Sequence, residues 1–229
     1  MNHAADLKRR SIRRFLTTLL LLAWMLFLPA GSWRFWQAWW LLGSMAGFWA
    51  FFFIYFLKHD PQLLERRLHR QEADPAQRRF QKSFSLILFL ALIVAGLDFR
   101  FGWSRSIAPV PLAVIVAGQI ATVAGYWLIF WVMKTNSFAA STIQVETAQP
   151  VVENGPYAIV RHPMYLGMAI TALGMPLALG SYVALPLFAL HVPLLIYRFI
   201  HEERTLCRDL PGYVEYCQRT RNRLLPWLW

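Results

Sequence analysis

The stretch 154–167 reads NGPYAIVRHPMYLG, which sets two potential cations, Arg161 and His162, directly ahead of Pro163 and an apolar run. Proline suits the first turn of a helix, where its missing N–H is not needed, so a helix is predicted to begin at or near Pro163. A helix start presents free N–H groups and a partial positive charge. With Arg161 and His162 beside it, that end is a candidate anion site. Asn154-Gly155-Pro156 is a turn signal and brings Tyr157 to the same place. Taken singly, each residue has a plain explanation: an arginine against lipid phosphate, a histidine bonded at a helix end, Tyr157 and Tyr165 as interfacial aromatics. Gly, Pro, Tyr, Arg, His, Pro and Tyr crowded into 11 positions make the group more telling than its members.

A second charged stretch, Arg198-Phe-Ile-His-Glu-Glu203, closes the last apolar segment. If that segment stays helical, Arg198 and Glu202 stand four residues apart and can pair. Glu203 points about 100° away from Glu202, which makes it the freer carboxylate. Adjacent acids at a membrane boundary carry a solvation cost that a cationic ligand would offset. A ligand with both signs of charge would satisfy the two stretches together. S-adenosylmethionine is one such ligand. Its carboxylate suits the helix start and a neighbouring cation, its ammonium suits Glu203, and Tyr157 or Tyr165 can face the sulfonium or adenine. Other zwitterions meet the same description. The sequence has no strand–Gly-x-Gly–helix pattern of a soluble dinucleotide fold, and no zinc or disulfide spacing around Cys207 and Cys217.

The elements that position these residues are apolar. Hydrophobic residues make up 57% of the 229 and charged residues only 15%, well under the ~25% of soluble domains. Six apolar stretches run roughly over 15–29, 35–57, 84–99, 107–133, 164–179 and 182–200. The longer ones exceed the ~30 Å hydrocarbon core of a bilayer. The expected fold is all-α, a polytopic transmembrane helix bundle of about six spans, five being possible, with the last two a helical hairpin around Gly180 and Ser181. Six spans put 20 of the 23 Lys and Arg on one side, leaving Arg34, Arg100 and Arg105 on the other. Positive loops stay cytoplasmic, so both termini are expected there, in the inner membrane if the chain is bacterial. The net charge of +11 then follows from topology and anionic headgroups, and nucleic acid is not an expected partner. The first helix has a basic flank and an apolar run, and is expected to be retained rather than cleaved.

Two regions emerge. Residues 1–133 read as a scaffold of about four spans, with Gly43-x-x-x-Gly47 and the series Ala117, Ala121, Gly125 for close helix approach. The 59–81 loop reads as a short surface helix, and Asp98 as an acid near a span end. Residues 134–229 read as the working region, because they hold a 30-residue polar segment at 134–163 and a polar tail. Loops of that length are usually functional or disordered, and the Val-Val, Tyr and Ile-Val content favours function. Both polar segments fall on the same predicted side, so a cytosol-facing site follows.

The box NGPYAIVRHPMYLG, the downstream Glu202-Glu203, then Gly212-Tyr213-x-x-Tyr216 and the closing LLPWLW together resemble the isoprenylcysteine carboxyl methyltransferase family, itself related to the phospholipid methyltransferases. Asn136 and Phe138 match the family's Asn-Phe pair. The resemblance covers about 135–229. It implies an integral-membrane enzyme using S-adenosylmethionine, with Gly155, Tyr157, Arg161, His162, Pro163, Tyr165, Gly167, Glu202 and Glu203 around the cofactor. It also implies an arginine holding the acceptor carboxylate, Arg161 or Arg198, with Glu203 the third candidate for the chemistry. The implied partner is a lipophilic or amphiphilic acceptor reached through membrane lipids. Alternatives are a phospholipid or small-thiol acceptor, a sterol-type membrane reductase, and a non-enzymatic membrane protein.

Overall fold

The computed structural model describes residues 3–68, 75–138 and 149–226. These form ten α-helices and no strand: α1 (His3–Ala30), α2 (Trp36–His59), α3 (Pro61–Leu68), α4 (Pro75–Phe101), α5 (Trp103–Ile107), α6 (Leu112–Thr135), α7 (Pro163–Ala178), α8 (Leu185–Ala189), α9 (His191–Asp209) and α10 (Tyr213–Arg219). α1, α2, α4 and α6 are long and apolar enough to cross a membrane, and α7 is a shorter apolar helix of 16 residues. The chain is therefore the expected helical bundle. Its core runs from Leu26 and Phe27 on α1 through Phe35 and Leu41 beside and on α2, Leu92 on α4 and Met175 on α7 to Phe188 on α8.

The sixth predicted span is the first correction. Residues 182–200 are not one helix but the five-residue α8 followed by α9, parted at Leu190. Pro193 explains the break: it has no N–H to donate back to Ala189, so the helical ladder cannot run unbroken across this point. His191 fills the joint, fully buried, with its ring nitrogens on the carbonyls of Phe188 (2.9 Å) and Phe84 (3.3 Å).

Of the small residues expected at close helix contacts, Gly125 is at one, but Gly43, Gly47 and Ala117 are not. At Gly43 and Gly47 an added Cβ would meet nothing, and Ala117 is exposed. The intimate pair is α6 with α7. A Cβ at Gly167 would sit 2.9 Å from the Gly125 carbonyl, and one at Gly174 2.8 Å from that of Gly118. Thr122 and Thr171 fill the spaces between. The working stripe on α6 is thus Gly118, Thr122, Gly125, one position round from the alanines.

Asp98 is buried and organises the opposite end of the bundle. It accepts bonds from the Ser104 N–H (2.7 Å), the Ser104 hydroxyl and the Ser181 hydroxyl (2.5 Å). Those hydroxyls in turn accept from the N–H groups of Tyr182 (2.8 Å) and Ala184 (3.1 Å). The carboxylate thereby ties α4 to the turn between α7 and α8. α3 is the short surface helix expected in the 59–81 stretch, with Pro61 and Gln62 exposed and Leu63 and Leu64 fully buried against Phe56, Phe130 and Met133.

Candidate functional site

α7 begins at Pro163, as the proline predicted. The two N–H groups just ahead of it are taken by the chain's tail. The Arg161 N–H donates to the Asn222 carbonyl (2.9 Å) and the His162 N–H to that of Arg223 (3.0 Å). Leu224 then packs under α7 and α9 with Tyr165 and Phe199. A tail lying along a helix start was invisible to a local reading, because residues 61 positions apart make the bonds.

Glu203 is the second correction. It is not the freer carboxylate but the most heavily paired one, 9% exposed and bound to Arg161 Nη1 at 2.5 Å, Arg223 Nε at 3.2 Å and His162 Nε2 at 3.4 Å. Burial by itself would raise its carboxyl, but the His162 bond and the charges of Arg161, His162 and Arg223 hold it below the usual glutamate value. Glu202, on the adjacent face of α9, takes the Tyr165 hydroxyl instead. Arg198 is buried, bonds the same tyrosine, and lies 5.0 Å over the Phe80 ring.

Gly155 adopts φ +57°, which a residue with a side chain rarely accepts, and starts the 3-10 turn Gly155–Ala158. That turn leaves Tyr157 half-buried. Its hydroxyl accepts from Asn136 Nδ2 (3.1 Å), and its carbonyl from the Tyr216 hydroxyl (2.8 Å). Burial pushes the Tyr157 phenol up to about 12, with the Asn136 bond opposing.

Between the 3-10 turn, the start of α7, α9 and α10 lies a pocket. Of the residues singled out from sequence, Tyr157, Arg161, His162, Pro163, Tyr165 and Glu202 line it, with Asn136 and Phe138 at the end of α6. Gly155, Gly167, Arg198 and Glu203 do not reach its wall. Gly167 faces α6, where a Cβ would lie 2.8 Å from Ile129. Sequence reasoning missed Leu206, Leu210, Tyr213 and Tyr216. A signal existed for three of them: Leu206 is one turn from Glu202, and the tyrosines stand in the Gly-Tyr-x-x-Tyr motif. Among the described residues, two polar groups around the pocket have no hydrogen-bond partner, the buried Tyr213 hydroxyl and Arg161 Nε. Residues 139–148 of the long polar segment lie outside the described residues.

This arrangement is an aromatic-lined pocket with one carboxylate on its wall and, among the described residues, two unpartnered donors, suited to a ligand that carries both signs of charge. Residues 113–209 match the phospholipid methyltransferase family. That stretch includes the box at 154–167 and both glutamates, so in this part the chain is similar to membrane methyltransferases. Among individual proteins, it is 34% identical over 92 residues to the delta(14)-sterol reductase TM7SF2 of Mus musculus. The alignment covers 38% of this chain and 22% of the reductase, so the chain spans about a fifth of that relative's length. The solved structure of the eukaryotic intramembrane Ras methyltransferase ICMT, isoprenylcysteine carboxyl methyltransferase, is similar over 95% of this chain and 77% of that one, at 19% identity and a TM-score of 0.49.

Proposed function

We propose that this chain is an integral-membrane methyltransferase that draws on S-adenosylmethionine and methylates a lipophilic or amphiphilic acceptor, with 134–229 as its working region on a scaffold of 1–133. The observation that carries the reading is Glu202 set among four pocket tyrosines, two of which, Tyr157 and Tyr165, lie with it in the matched stretch. The donor set fits the cofactor. Glu202 would take the ammonium, and the tyrosine faces the sulfonium or adenine. Arg161 Nε and the Tyr213 hydroxyl, both without a partner among the described residues, would take the carboxylate. When bound, the cofactor supplies an electrophilic methyl group.

The chain's own contribution is orientation and exclusion of water. Glu203 and the tail fix Arg161 and His162 in place, so the pocket wall does not have to reorganise around a ligand. A thiol or amine acceptor would need a base. The groups that could serve, His162 and Glu203, are tied to each other and to Arg161. This favours a carboxylate acceptor, of the isoprenylcysteine kind, which needs none. The positive-side rule supports a pocket open to the cytoplasm, with both termini there.

A second reading, a membrane reductase using a nicotinamide dinucleotide, draws on the 34% identity to the sterol reductase. Calorimetric titration of the purified full chain separates the two. Saturable binding of S-adenosylhomocysteine, weakened in Glu202→Gln, is expected. Binding of the nicotinamide dinucleotide alone would replace the methyltransferase with the reductase.

A further inference from the structure

A second polar hollow, of about 250 Å³, opens at the end of the bundle that Asp98 organises, among Trp36, Gln37, Asp98, Arg105, Leu112 and Gly180. The 16 residues of α7 separate it from the first pocket, about 24 Å at the helical rise. Two of the four long apolar helices, α2 and α6, begin at Trp36 and Leu112, and both of these side chains are exposed. The mouth of the hollow therefore lies where those helices would enter a membrane, at the depth of the headgroups.

Its polar atoms are unevenly shared. Gln37 is only 8% exposed, yet its buried Oε1 has no hydrogen-bond partner among the described residues. Its amide end reaches the turn after α7, with Nε2 3.4 Å from the place a Cβ on Gly180 would take. The hollow exceeds the ~30 Å³ that one water occupies in the liquid, so a larger donor can reach this oxygen. Asp98 stands beside it on the same wall, 3% exposed. Three bonds, two from Ser104 and one from Ser181, occupy the carboxylate, which has about four lone-pair positions. Arg105 is the cation of this wall, exposed, with its guanidinium 5.7 Å over the Phe99 ring. Acceptors thus lie inside, a cation and apolar side chains at the rim.

We propose that this hollow binds the headgroup of a membrane lipid whose phosphate is joined to a primary ammonium, of the phosphoethanolamine kind, in the leaflet opposite the cofactor pocket. The ammonium donates to Gln37 Oε1 and lies against the Asp98 carboxylate; the phosphate takes Arg105, whose planar fork suits its oxygens. The acyl chains leave over Trp36 and Leu112. A choline headgroup carries the same phosphate and charge but no N–H, so it cannot satisfy Gln37. A glycerol headgroup brings hydroxyl donors but no positive charge for Asp98. Gln37 belongs to α2, Asp98 to α4 and Gly180 to the turn after α7, so the bound headgroup joins three parts of the bundle. A helix length from the cofactor pocket, this lipid is not a methyl acceptor, and the site does not rest on the methyltransferase reading.

Trp36 on the rim supplies the probe, its signal taken as wild type minus Trp36→Phe in nanodiscs of unbrominated phosphatidylcholine carrying the full chain. Dibrominated phosphatidylethanolamine is expected to reach half of its full quenching at about one-tenth the mole fraction that dibrominated phosphatidylcholine needs, the order of a hydrogen bond to a charged group. Dibrominated phosphatidylglycerol should behave like the choline lipid. Gln37→Leu should bring the ethanolamine and choline lipids together. Arg105→Gln should weaken both and keep their ratio, because both carry the phosphate. Equal quenching by the two lipids in the wild type would overturn the proposal without recourse to any variant and leave ordinary surrounding lipid. A preference that survives Gln37→Leu would overturn the assignment to this hollow. Quenching relieved by soluble phosphoethanolamine as readily as by unbrominated phosphatidylethanolamine would replace the lipid with a free solute.

Discussion

Glu203 shows how much a neighbouring residue's fate depends on helical phase. One step along α9 separates it from Glu202, yet it turns inward to Arg161, His162 and Arg223 while Glu202 stays on the pocket wall. The two carboxylates should respond oppositely to the same change. Glu202→Gln is expected to weaken S-adenosylhomocysteine binding by roughly 1.5–3 kcal/mol, the worth of a charged hydrogen bond, with little effect on melting. Glu203→Gln leaves Arg161 buried without its counter-charge and should cost about 3 kcal/mol of stability. Thermal melts of both variants beside the titrations check this; a normal melt for Glu203→Gln would mean that the ion pair contributes nothing. The same carboxyl predicts a pH dependence. It is held below its ordinary value, so its stabilisation is fully present above the ordinary glutamate range and is lost as pH falls through the depressed value. The melting difference between wild type and Glu203→Gln should accordingly be constant near neutrality and shrink in acid.

At the scale of elements, the contact that matters most is α6 on α7, since it joins the end of α6 that carries Asn136 to the helix that carries the box. Gly125 and Gly174 allow the backbones to touch. Gly125→Val pushes a branched side chain into backbone and should cost about 3 kcal/mol, read as a lower melting temperature in detergent. Gly43→Ala, in open space, should be neutral or stabilising by up to about 1 kcal/mol. If both substitutions behave alike, the glycine contact is not what holds these helices. α3 and the tail belong at this scale too. Each is a polar segment fixed both by long-range bonds, Arg66 to Ser137 and Arg161 to Asn222, and by a few buried apolar side chains, Leu63 and Leu64 on α3 and Leu224 in the tail.

Over the whole molecule, charge and hydrophobicity divide the labour. Four helices are long and apolar enough to cross a membrane and α7 is a shorter apolar one; the expectation of six crossings adds α7 and the jointed α8–α9 to those four. An even number of crossings returns the chain to the side on which it started. Tags at the two termini are therefore expected to be reached by a membrane-impermeant reagent from the same face, the cytoplasmic one in oriented vesicles. Opposite accessibility would remove one crossing, and with it the meeting of the two polar segments.

The sequence by itself determined the helical bundle, the start of α7 at Pro163, and the nomination of Tyr157, Arg161, His162, Tyr165 and Glu202, because apolar run length, proline chemistry and a dense motif are local properties. It did not determine which glutamate faces the pocket, who occupies the N–H groups before α7, or which small residues join helices. Those depend on the rotation of α9, on a tail 61 residues downstream and on the relative phase of α6 and α7. Only the tertiary structure decided them. Each is a contact between distant parts of the chain, and no periodicity within one segment encodes the angle at which another segment will meet it.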